Sequence, residues 1–161
     1  MGVFFSGREI IDIAIGIERN GASFYHSLAE SAGSEIAKGV YEYLAGEELK
    51  HIEVFQSMLG SVTDYRPPET YTEEYDLYLR ALIDSSVFSD DQTAYDIAQR
   101  VASDAEAIQI ALGMEKDSIL FYSEIWDLVR ESDREVVNKI IKEERSHLRQ
   151  LSDLKKSLSK R

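Results

Sequence analysis

Apolar residues recur at helical spacing in four long stretches of the chain, and in each a glutamate occupies a place that the spacing reserves for an apolar side chain. Seven-residue steps from Glu18 reach Ile11 and Tyr25, with Ala14, Ile15 and Ala22 between. Glu48 lies among Tyr41, Leu44, Ile52, Phe55 and Leu59. Steps from Glu115 reach Ile108 and Tyr122, and Glu144 lies among Val137, Ile140, Leu148, Leu151 and Leu154. Stripes of this period face the interior of a helical bundle.

The pattern predicts long helices near 6–32, 34–59, 104–131 and 133–159, each about 35–40 Å long at 1.5 Å per residue. Ser6-x-x-Glu9, Ser103-x-x-Glu106 and Ser132-x-x-Glu135 have capping-box form ahead of periodic segments. Gly33 and Gly60 stand where helix ends favour a residue tolerant of positive φ. Short connections make 6–60 and 104–159 antiparallel hairpins. The crossover, 61–103, contains Pro67 and Pro68 and two stretches, "YTEEYDLYLRALIDSS" and "SDDQTAYDIAQRVAS", that read as shorter helices. The fold expected is all-α, an antiparallel four-helix bundle with a long helix-containing crossover, and residues 1–161 form one domain.

The two hairpins are copies. Residues 13–28 align without gaps on 110–125, with six of sixteen positions identical: Ile13/Ile110, Ala14/Ala111, Gly16/Gly113, Glu18/Glu115, Phe24/Phe121 and Tyr25/Tyr122. The second helices align through "EELKH" (47–51) on "EERSH" (143–147).

Composition narrows the chemistry. The chain has no cysteine, which excludes disulfides, zinc–thiolate sites and thiolate-held iron centres and points to a reducing cytoplasm. A net charge of −12 repels nucleic-acid phosphates and anionic lipid, so neither nucleic acid nor membrane is expected as a partner. No apolar run approaches the roughly 18 residues of a membrane span. No signal peptide is read in "MGVFFSGRE", and the short myristoylation pattern of Gly2 with Ser6 is expected to be unused.

Four carboxylates on interior stripes must be protonated, paired or metal-bound, because an ion buried alone costs several kcal/mol or more. Basic residues fall mostly off these stripes, which makes metal the economical solution. The alternative is a polar network or solvated glutamates. Glu48 with His51, and Glu144 with His147, are i,i+3 pairs whose side chains leave one helix face together. Two Glu-x-x-His helices and two single-Glu helices are the donor set of a two-metal carboxylate site in a bundle. Four carboxylates also neutralise two divalent cations.

In the order Glu, Glu-x-x-His, Glu, Glu-x-x-His over a repeated hairpin, the chain resembles the rubrerythrin branch of the ferritin-like di-iron carboxylate superfamily, across that family's whole four-helix domain. The resemblance implies a ferritin-like bundle with Glu18 and Glu115 as terminal ligands, Glu48 and Glu144 as bridging ligands, and His51 and His147 each capping one iron. The same four glutamates are the candidate catalytic residues. It implies two iron ions cycling between Fe2+ and Fe3+; manganese would accept these donors too. Two features depart from the family pattern. Ser118 stands where a further glutamate usually follows the ligand of the third long helix, which bears on ligand switching during peroxide reduction. No cysteine is present to hold a rubredoxin-type relay iron, so electrons must come from a separate protein.

Glu47 and Glu143 compete with their neighbours for the ligand role; the wetter stripe of Glu143 and the repeat decide for Glu144 and Glu48. Tyr25 and Tyr122 are candidates to hydrogen-bond the metal carboxylates, or are plain core tyrosines. Gly21 and Ser118, one turn after Glu18 and Glu115, read as tight helix contacts rather than as an open coordination position. His26 reads as structural or surface, and Trp126 as packing.

The resemblance implies an oxidoreductase of the peroxidase type, reducing hydrogen peroxide in oxidative stress, and the cysteine-free composition points to the cytoplasm. One alternative is a ferroxidase or iron-handling protein acting on Fe(II) with dioxygen. The other is a non-catalytic acidic helical module with a vestigial site. The partners expected are peroxide or dioxygen, an electron-donor protein, and a second copy in a homodimer, with exchange of hairpins geometrically easy.

Overall fold

The computed structural model describes residues 5–62 and 72–160. These form α1 (Gly7–Ser31), α2 (Glu35–Val62), α3 (Glu73–Asp84), α4 (Asp91–Arg100), α5 (Asp104–Leu128) and α6 (Glu131–Ser159), with no strand among them. The all-α architecture is as expected. Gly2, Pro67 and Pro68 lie outside the described residues.

Caps explain where most helices begin. The Ser6 hydroxyl accepts from the Glu9 N–H at 3.1 Å while the Glu9 carboxylate accepts from the Ser6 N–H at 2.6 Å, closing the box. Ser103 accepts from the Glu106 N–H at 3.2 Å, but the Glu106 carboxylate turns to the Ala102 N–H, so this box is half-made. Ser132 caps nothing. Helix α6 begins one residue before it, where the extended backbone of Arg130 and a bond from the Asp133 N–H to the Arg130 carbonyl (2.9 Å) start the first turn. The Arg130 side chain makes no capping bond.

Neither glycine acts as a helix stop, and among the described residues no glycine has positive φ. Gly60 lies within α2. Gly33 matters for its size: its N–H donates to Asp104 Oδ1 at 3.2 Å, and an added Cβ would fall 2.8 Å from Asp104 Oδ2. A side chain there would displace the Asp104 carboxylate and disturb its bond to the Gly33 N–H.

Two apolar cores divide the bundle along its length. One gathers Ile10, Ile11, Phe55, Tyr122, Ile125, Val137 and Ile140; the other gathers Phe24, Tyr25, Leu28, Tyr41, Leu44, Ile108 and Leu151. All four long helices pass from one core to the other, and their glutamate positions fall in the gap between. The crossover is strapped to the outside of α1 and α5. The Ser23 hydroxyl donates to the Asp91 carbonyl (3.0 Å), Gln99 to the Ser27 hydroxyl (2.7 Å), and the Val87 N–H to Asp117 (3.0 Å). Where α5 hands over to α6, the Arg134 guanidinium lies 4.4 Å from the Trp126 ring centre. No helix among the described residues is long and apolar enough to cross a membrane.

Candidate metal centre

Glu18 projects from α1, Glu48 and His51 from α2, Glu115 from α5, and Glu144 and His147 from α6, all into the gap between the two cores. Each is no more than 3% exposed. Their donor atoms form two overlapping groups. Glu18, Glu48, His51 and Glu144 make one and Glu48, Glu115, Glu144 and His147 the other, with the atoms of each group within 4.8 Å of one another. Glu48 and Glu144 belong to both, the place a bridging carboxylate must occupy. The two imidazoles stack with ring centres 5.7 Å apart.

The spacing fits cations better than it fits hydrogen bonds. His51 Nδ1 lies 2.7 Å from Glu144 Oε1 and 3.5 Å from Glu18 Oε2. His147 Nδ1 lies 3.5 Å from Glu144, 3.7 Å from Glu48 and 3.8 Å from Glu115. Yet Glu18 Oε2, Glu48 Oε1, Glu115 Oε2, both oxygens of Glu144 and Nδ1 of both histidines are buried with no hydrogen bond. Donors about 2.1 Å from one ion stand about 3 Å apart, the scale seen here. Oxygen and imidazole donors with matching charge suit a pair of divalent first-row metals, so the residues present fit the group.

The tyrosines reach across the repeat. The Tyr25 hydroxyl on α1 donates to Glu115 on α5, and the Tyr122 hydroxyl on α5 donates to Glu18 on α1. Burial, then the charges of Glu115 and Glu48, push Tyr25 well above its usual range; burial, then Glu18 and Glu144, do the same for Tyr122. Both therefore keep their protons and act as donors, each fixing the carboxylate of the opposite hairpin.

Glu143, set aside as a ligand in the sequence, has a place of its own: its carboxylate accepts from His51 Nε2 at 2.8 Å, with the Glu143 side chain 34% exposed. Glu47 instead binds Lys50 Nζ at 2.6 Å. Ser118 is buried, and its hydroxyl donates to the Met114 carbonyl at 3.2 Å. His26 is exposed, 3.7 Å from Glu30.

Gly21 is a tight contact. A Cβ there would lie 3.2 Å from both Cδ and Oε2 of Glu48. Gly21→Ala should displace a carboxylate that both groups share. Overpacking of this kind costs about 1–3 kcal/mol, or roughly one to two decades of metal affinity. Without metal the helix should not suffer, since alanine is the better helix former by nearly 1 kcal/mol. Calorimetric metal titration beside a metal-free melt checks both halves.

With no metal bound, burial raises Glu48 well above the usual carboxylate value, with help from Glu18 and Glu144, and raises Glu115 with help from Glu144. Burial opposes charge on His51, yet Glu144 and Glu18 push it up to about 11. Glu144 is held low despite its burial, because His147 and His51 favour its ionised form. The raised carboxyls weaken the fold as pH climbs past 4.5. The contribution of His51 is complete below 6.5 and fades as pH approaches about 11. Glu144 acts in the opposite sense, its contribution being lost only as pH falls below 4.5. The metal-free protein should therefore melt higher at about pH 5.5 than at about pH 8.5. A flat or reversed profile in thermal denaturation would contradict the buried cluster.

The sequence matches the family described as Rubrerythrin over residues 9–155. Comparison with curated proteins gives no match. Among solved structures, a crystal structure from Thermotoga maritima, provisionally described as a ferritin-like diiron-carboxylate protein, is similar with TM-score 0.71 and 28% identity. The similarity covers 97% of this chain and 98% of that one.

Proposed function

The chain belongs to the rubrerythrin family, and from that premise we propose that it binds a pair of iron ions and reduces hydrogen peroxide with electrons delivered by a separate protein. The observation that carries the proposal is the buried cluster of four glutamates and two histidines, with Glu48 and Glu144 common to both groups of donors. Glu18, Glu48, His51 and Glu144 would hold one ion, and Glu48, Glu115, Glu144 and His147 the other. What bound iron supplies is polarisation and two-electron reduction of the O–O bond, with cycling between ferrous and ferric states.

The chain's own residues set the conditions for that chemistry. Glu48 and Glu144 tie the two positions together. Tyr122 and Tyr25 fix Glu18 and Glu115, so neither carboxylate turns freely on its helix. The apolar cores on either side exclude water, which strengthens every charge interaction in the gap. Peroxide takes up two electrons and two protons to give two waters. A cysteine-free chain has no thiolate-held relay iron of its own, so the electrons come from a partner that an acidic surface can dock. Cysteine-free composition also favours the cytoplasm, and a homodimer is the assembly we expect.

Ser118 favours a second reading, oxidation of Fe(II) by dioxygen, because this buried position offers a hydroxyl bonded to Met114 rather than a further carboxylate. Manganese suits the same donors. The test is to load the chain anaerobically with two ferrous ions and mix it with hydrogen peroxide or oxygenated buffer, following near-ultraviolet absorbance. Oxidation at least about tenfold faster with peroxide is expected. Preference for dioxygen selects the second reading, and a chain that retains no iron sinks both.

A further inference from the structure

The two halves of the repeat are alike in ligands and unlike around them. At the positions that align, Glu47 matches Glu143, Glu48 matches Glu144 and His51 matches His147, but Lys50 matches Ser146. On α6, Ser146 offers Glu143 no cation, and its hydroxyl accepts from Gln150 at 3.3 Å. Glu143 extends across the α2–α6 seam to His51 Nε2. On α2, Lys50 takes the Glu47 carboxylate at 2.6 Å. Every ion pair of His147 runs through Nδ1, and among the described residues no carboxylate meets its Nε2.

We infer that Glu143 is a positioning residue for His51, and that Lys50 denies His147 the same support, so that the two metal positions differ in affinity. The inference rests on metal binding by this cluster. A carboxylate accepting from one ring nitrogen fixes the tautomer, leaves the lone pair on the other nitrogen, and makes that nitrogen a better donor. For His51 the nitrogen so freed is Nδ1, the one that faces Glu18 and Glu144. The His147 ring points Nδ1 into the cluster with nothing comparable behind it. The position holding His51 fills first and holds its ion more tightly.

The probe is cobalt(II), titrated anaerobically into the whole metal-free chain and fitted to two steps. The unmodified chain should show two separated affinities. Glu143→Gln should weaken the tighter step by about 10- to 100-fold, leave the weaker step within about twofold, and leave the metal-free melt unchanged. Glu47→Gln should alter neither step. Lys50→Ser, which gives the first motif the serine that the second has at the aligned position, should release Glu47 toward His147 and strengthen the weaker step by about tenfold or more. Loss of both steps alike in Glu143→Gln, or of neither, overturns the role of Glu143, as would equal effects of the Glu47 and Glu143 changes. An unaltered Lys50→Ser isotherm overturns the role of Lys50. Failure of the unmodified chain to bind cobalt, iron or manganese removes the proposed function along with the inference, whereas binding in two equal steps removes the inference alone.

Discussion

Loading the metal-free protein with two divalent ions per chain is expected to raise its melting temperature by about 15–30 °C. At free metal a thousandfold above Kd, each site contributes about 4.1 kcal/mol, and a chain of this size gains roughly 2–4 °C per kcal/mol. The cause is specific. Without metal, the seven donor atoms in the gap are buried and make no hydrogen bond, with two of the carboxyls pushed toward their protonated forms. Bound cations would give those buried donor atoms the partners they lack, so that metal binding adds to folding stability. Calorimetry with and without chelator measures the shift, and a change of less than a few degrees would leave the cluster a polar network and nothing more.

The second large effect has opposite signs in the two forms of the protein. Glu48→Gln removes a donor that both groups share, so binding of both ions should fall at least about a thousandfold. Glu18→Gln, in one group only, should leave the second ion bound. In the metal-free protein Glu48→Gln should instead stabilise the fold by about 1–2 kcal/mol, because it replaces a buried group held among the charges of Glu18 and Glu144 with a neutral one of the same shape. That corresponds to a melting temperature higher by roughly 2–8 °C. If the variant melted lower without metal, Glu48 would be providing structure instead of strain.

The bundle and the meeting of its six polar donors could be read from the sequence because both depend on periodicity. Each glutamate stands at a step of seven among apolar residues, and each histidine stands one turn beyond its glutamate; the three-dimensional structure brings all six together. What the sequence hid depends on neighbours from another helix. Counting along α6 measures how wet the stripe of Glu143 is, but not that His51 waits across the seam. Counting along α1 puts Tyr25 and Glu18 on one stripe, whereas the Tyr25 hydroxyl serves the glutamate of α5. Ser132 has the form of a cap, yet the turn closed on the Arg130 carbonyl starts the helix ahead of it. The one exchange that carried the hidden information was Lys50 against Ser146, visible as soon as the two motifs are aligned.

The sharing of Glu48 and Glu144 also bears on the order in which the chain can assemble. The hairpin of α1 and α2 holds Glu18, Glu48 and His51, three of the four donors for one ion, and needs Glu144 from the other hairpin for the fourth. The hairpin of α5 and α6 holds Glu115, Glu144 and His147 and waits for Glu48. If the cluster binds metal as proposed, a chain with only its first hairpin formed would lack the Glu144 donor, and the full donor set would be complete only once α5 and α6 dock. Under the proposed metal binding, retention of both ions would report that the two hairpins have docked.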